Sequence, residues 1–165
     1  MGRWSKPHWR RNWSDPTPRI GGKKGSKRSL LVDARGVPLS LVASGANTHD
    51  VKLLESTLDA TVIPRPDRKK RRQHLCADAA YVGAPADQAI RERHLIPHVR
   101  SRGEEKKRKR RGSRPRRWVV ERTHSWFNRF RKLLVRFEKT AASFIGLLEL
   151  AASLMCWRRN ISIYG

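Results

Sequence analysis

Positive charge is gathered into runs that no compact core can absorb, and these runs decide where the chain can fold. Of 165 residues, 38 are Lys or Arg and 14 are Asp or Glu, a formal net charge of +24. The first cluster comprises Arg3, Lys6, Arg10, Arg11, Arg19, Lys23, Lys24, Lys27 and Arg28, with Asp15 as the lone acid among them. A second, Arg65 to Arg72, follows the turn former Pro64-Arg65-Pro66, and the densest runs from Lys106 to Arg117 through Lys107, Arg108, Lys109, Arg110 and Arg111. Like charges repel and stay hydrated, so all three read as arms or loops between folded pieces. Each can neutralise phosphates, with an affinity that falls steeply as salt rises. An excess this large points to a polyanionic partner, nucleic acid ahead of an anionic membrane.

The hydrophobic fraction, 38%, allows a modest core, and the length suits one domain. No run of about 18 apolar residues is present, so no transmembrane helix is expected. The segment from Met1 to Arg11 lacks the apolar stretch of a secretory signal, and Lys6 stands where a myristoylation motif needs Ser or Thr. Cys76 and Cys156 have apolar neighbours and no nearby second cysteine, which fits a reducing cytoplasm rather than a disulfide framework or zinc ribbon. Residues 1–21 form a basic arm in which Trp4, Trp9 and Trp13 alternate with cations and Pro7, Pro16 and Pro18 preclude a long helix. Base stacking on these indoles and an unordered arm stand as alternative readings.

From Arg28 onward the pattern is that of a folded domain. Ser29–Asp33 and Val37–Val42 read as a β-hairpin about the turn Ala34-Arg35-Gly36. A helix starts near Thr48 to Asp50 with Val51, Leu54 and Leu58 on one face. Gln73–Asp78 is a strand, Pro85–Arg93 a short helix with Ala86, Ala89 and Ile90 inward, and Leu95–Val99 an edge strand in which Pro97 has no amide to donate. Trp118–Phe137 is predicted as one amphipathic helix. Thr140 caps a last helix through Trp157 that is apolar on most faces and so expected to be buried. The order β-β-α-β-α-β-α-α predicts an α/β fold with a mixed sheet.

Two carboxylates stand out. Asp78 closes an apolar strand, and α/β folds place ligands in the crevice at such strand ends. Glu121 lies in the first turns of the amphipathic helix between Arg117 and Arg122, where its charged form is favoured. Both could face one Mg²⁺, which is held by few carboxylates plus waters and substrate phosphate. The plainer readings are a turn-forming Asp78 and a Glu121–Arg117 ion pair. Other candidates are weaker. Gly21-Gly22-Lys23-Lys24-Gly25-Ser26-Lys27 lacks the GK[ST] tripeptide and precedes a strand, so it is no phosphate loop. His94 and His98 do not share a helix face. Asp33 suits a turn and Asp50 a helix N-terminus.

Gly22–Arg28, Leu31–Leu39 and Gly45–Asp50 together resemble the insertion-sequence transposases of the DDE class, in the IS-four/IS-five-like group. So do Cys76–Tyr81, Arg117–Arg131 and the ending Cys156-Trp157-Arg158-Arg159. The resemblance spans about residues 20 to 159. It implies an RNase H-like fold, a mixed sheet with flanking helices, in which two Asp and one Glu bind two divalent ions, Mg²⁺ or Mn²⁺, for DNA strand cleavage and joining. By resemblance Asp78 is the second Asp and Glu121 the Glu, and the interval between them leaves no room for a large insertion domain. Arg117 matches the Arg of the related Tyr-Arg-Glu-Lys signature, whose Tyr and Lys positions are here Arg114 and Asn128, with Arg129 able to take the basic role. Arg122, Arg129, Arg131 and the run Lys106–Arg111 are the expected DNA contacts.

The family's first catalytic Asp lies on a strand upstream of Gly22, a region here occupied by Met1 to Ile20 with only Asp15. The first strand and its Asp are therefore expected to be missing, with residues 22–165 a truncated catalytic domain inactive by itself. The partners implied are element ends and target DNA, further copies of the chain or an N-terminal transposase segment, and no membrane. The location implied is the bacterial cytoplasm, at the nucleoid. A non-catalytic DNA-binding remnant is the alternative, and a basic RNA-binding protein a more distant one.

Overall fold

The computed structural model describes residues 19–20, 23–67, 69–99 and 118–164. Readings that fall on the Trp-containing arm and on Lys106, Lys107, Arg108, Lys109, Arg110, Arg111 and Arg117 lie outside the described residues.

A hairpin with two usable faces anchors the domain. Strand β3 (Ser26–Val32) pairs antiparallel with β4 (Pro38–Gly45), preceded by a small antiparallel pair, β1 (Arg19–Ile20) and β2 (Lys23–Lys24). The turn is held as its sequence predicts: Asp33 Oδ1 accepts the amides of Arg35 and Val37, each at 2.8 Å, and Gly36 takes a positive φ of 85°. Successive side chains of a strand point to opposite faces. Lys27, Ser29 and Leu31 therefore meet helix α1 (Asp50–Asp59): Thr57 Oγ1 donates to Ser29 Oγ at 2.8 Å, and Lys27 Nζ lies 3.1 Å from Asp50. Ser26, Arg28 and Leu30 meet the other layer, built from α3 (Trp118–Asn128), the single turn α4 (Arg131–Leu134) and α5 (Ala141–Tyr164).

Each layer has its own core. On the α1 side, Leu54 and Leu58 pack with Leu75 of β5 (His74–Ala77), Ala86 and Ile90 of α2 (Ala84–Glu92), and Leu95 before β6 (Ile96–Val99); Leu31 joins them from the hairpin. On the other side, Phe127, Leu133, Phe144, Leu148 and Ala151 close over Leu30, Leu41 and Ala43. Full burial of one such side chain contributes about 1.5–3 kcal/mol, so these clusters dominate the favourable side of folding.

The structure departs from the sequence expectation in four places. The strands do not join into one mixed sheet: β3–β4 and the parallel pair β5–β6 form separate ladders, although both contribute to one apolar cluster with α1. The helix predicted over Trp118–Phe137 stops at Asn128. There the amides of Arg129 and Phe130 tighten onto the carbonyls of Trp126 and Phe127, and Phe130 adopts extended backbone before α4 begins. This bend lets Phe130 and Leu133 enter the second core. Helix α5 starts as predicted, with Thr140 Oγ1 accepting the Ser143 amide at 3.2 Å, but it buries only one face, leaving Leu150, Trp157 and Ile161 exposed. Its stretch Ala141–Ser162 is long and apolar enough to reach across a membrane, contrary to expectation, yet its buried residues are those packed on the hairpin. Finally, Cys76 is exposed rather than apolar in its surroundings, and both cysteines are free thiols.

Candidate functional site

Asp78 stands where β5 gives way to a single 3₁₀ turn, Ala79–Tyr81. Its Oδ1 accepts the Ala80 amide at 3.0 Å and so caps that turn. This is the turn-forming role weighed from sequence, and it leaves the second carboxylate oxygen free of that bond. The turn delivers Tyr81 against the α1-side core, which Leu31 of the hairpin also joins. Burial, then the carboxylates of Asp50 and Asp78, raise the Tyr81 phenol above its ordinary range, while the Ser29 hydroxyl opposes them. Asp78 is thereby placed at the edge of the α1-side core. Sequence reasoning did not foresee that Asp50 and Asp78 both bear on one phenol, because they belong to elements joined only by tertiary packing.

Glu121 occupies the first turn of α3 and is exposed to solvent. The helix is locked by its two neighbours in sequence. Arg122 lies between two indoles, its guanidinium carbon 4.5 Å from the Trp118 ring centre and 5.0 Å from that of Trp126, and donates to the Arg35 carbonyl at 2.6 Å. Thr123, fully buried, donates to the Gly36 carbonyl at 2.8 Å. Both bonds grip the hairpin turn, so the orientation of Glu121 is fixed by the β3–β4 loop. One turn on, Asn128 accepts from Arg28 at 2.7 Å, and burial followed by the Arg28 charge holds His124 below its ordinary value.

The two carboxylates belong to different layers, Glu121 to α3 in the second core and Asp78 to the exit of β5 in the α1-side core. Their hard oxygen donors suit Mg²⁺ or Mn²⁺ in kind. In number they fall short: among the described residues no group of three His, Cys, Asp or Glu side chains is placed to hold an ion. Arg129 and Arg131 are exposed just beyond α3, free to meet a phosphate, whereas Arg122 is committed to the turn. Sequence reasoning missed Arg158 and Arg159 as site residues. They recur at helical spacing with Leu154 and Met155 on the α5 face turned toward Trp126, a pattern readable only once α3 and α5 are known to be neighbours.

A hairpin between two helical layers, an Asp at a strand exit and a Glu on a helix clamped to the hairpin, in a chain of net charge +24, make an α/β protein suited to a polyanionic partner. Residues 5–156 match the transposase DDE domain, and the chain belongs to that family. It is similar to the transposase assigned to insertion sequence element IS402 of Burkholderia cepacia, with 36% identity over 154 residues that cover 90% of this chain and 71% of that protein. No solved structure matches the chain. Membership of this family brings DNA transposition, DNA as partner and a general dependence on divalent metal.

Proposed function

We propose that the chain supplies the C-terminal part of an RNase H-like DDE transposase catalytic domain, residues 22–165, and completes its active site only with a further carboxylate. The observation that carries this reading is the pairing of family membership with Asp78 at the β5 exit and Glu121 on α3. In this reading Asp78 and Glu121 hold Mg²⁺ or Mn²⁺. Bound there, two such ions would clamp the attacking and leaving oxygens of a phosphoryl transfer. The residues of this chain do the remaining work. Thr123 and Arg122 hold α3 on the hairpin turn, the Ala80 amide orients the Asp78 carboxylate, and Arg129 and Arg131 anchor the DNA backbone beside them. Both β3–β4 and β5–β6 are two-stranded, so each ladder has an edge without a partner among the described residues. An Asp-bearing segment laid along these edges would satisfy their backbone groups and bring the third carboxylate.

A second reading, a DNA-binding protein without catalysis of its own, is favoured by the lack of a three-ligand cluster among the described residues. Glu121→Gln separates the two. The variant should bind DNA as wild type does, and should lose strand cleavage in a preparation where wild type, supplied with an upstream transposase segment, cleaves DNA carrying element ends.

A further inference from the structure

Between α3 and α5 the surface opens into a cleft of about 450 Å³, within the range of about 300–1,000 Å³ usual for small-ligand sites. Trp126 and Phe130 give it an aromatic wall and Met155 an apolar floor, while Arg129, Arg158 and Arg159 line it and, among the described residues, no Asp or Glu does. An apolar occupant alone would leave three cations unanswered, and a bare anion would leave the aromatic wall in water. A nucleotide answers both, with a flat base for the aromatics and phosphates for the guanidinium groups. A base inside a duplex hides its faces between its neighbours, so only an unstacked one can enter.

We infer that this cleft receives one unpaired nucleotide of a DNA strand, its base against Trp126 and Phe130 and its flanking phosphates on Arg129, Arg158 and Arg159. The inference rests on the reading of the chain as a DNA-processing protein and assigns a subsite beyond the carboxylates. The test uses the full chain and two DNA duplexes of the same sequence, one perfectly paired and one carrying a single unpaired 5-iododeoxyuridine. Base–aromatic stacking corresponds to a preference for the unpaired site of about 5- to 100-fold, and irradiation should crosslink the iodinated base to Trp126 or Phe130. Trp126→Leu should abolish both effects. Arg158→Gln, a change at an exposed cleft-lining position that leaves the cores untouched, should reduce the preference without altering the thermal melt. Equal binding of the two duplexes, or a preference that survives both substitutions, overturns the cleft assignment while the DNA-processing reading stands. Failure to bind either duplex overturns both.

Discussion

Gly36 and Thr123 form the joint on which the candidate site turns. The glycine has φ of +85°, and a Cβ there would lie 3.0 Å from Thr123 Oγ1 and 3.1 Å from an Arg122 nitrogen. Gly36→Ala is therefore expected to lower stability by about 1–3 kcal/mol through backbone strain and the displaced neighbours. Thr123→Val leaves the Gly36 carbonyl without its donor in a buried place, with an expected loss of about 1–3 kcal/mol. Urea midpoints at constant slope measure both. For Glu121→Gln, by contrast, the fold should be untouched because the side chain is exposed, and reconstituted cleavage should fall by roughly 10²–10³-fold, the order lost when one group stabilising developing charge is removed.

At the scale of elements, burial makes helix α3 sensitive to acid. His124 titrates below its ordinary value because it is partly buried and then because Arg28 is near. A base whose folded pKa is depressed contributes stability that is whole above its unfolded pKa, about 6.5, and is lost as pH falls from there toward the folded value. Unfolding free energy should thus be flat above about pH 7 and decline toward pH 5, and His124→Asn should reduce that slope in urea titrations at the two ends. The elements themselves were largely legible. Two short apolar runs about a turn marked the hairpin, Asp33 and Gly36 the turn itself, and Thr140 the start of α5. The break after Asn128 was not, because Phe130 and Leu133 continue a helical spacing, and only the second core draws them inward by bending the chain. Asp78 was legible as a strand-end carboxylate, but the packing of its neighbour Tyr81 on the α1-side core joins elements distant in sequence.

For the molecule as a whole, the division of the strands into separate ladders was beyond reach of local pattern, since hydrophobic period names a strand and not its neighbour. The excess of charge was readable at once, and it sets how DNA is held. With 38 basic against 14 acidic residues, binding should be mostly independent of sequence. Its logarithm should fall linearly with the logarithm of salt, each neutralised phosphate adding about 0.9 to the slope on duplex DNA. Neutralising Lys106–Arg111 should shallow that slope, whereas a slope near zero in the wild type would remove DNA-backbone contact as the basis of affinity.

The central proposal is that Asp78 and Glu121 are two parts of a metal-dependent cleavage site that needs a further carboxylate. Strand cleavage of DNA carrying element ends, measured with Mg²⁺ on the chain by itself and together with an upstream segment bearing an Asp-containing apolar strand, tests it most directly. The expected result is no cleavage alone, cleavage on reconstitution, and loss of that cleavage in both Asp78→Asn and Glu121→Gln. Mg²⁺-dependent cleavage by the chain alone, or reconstituted cleavage indifferent to either substitution, would contradict it.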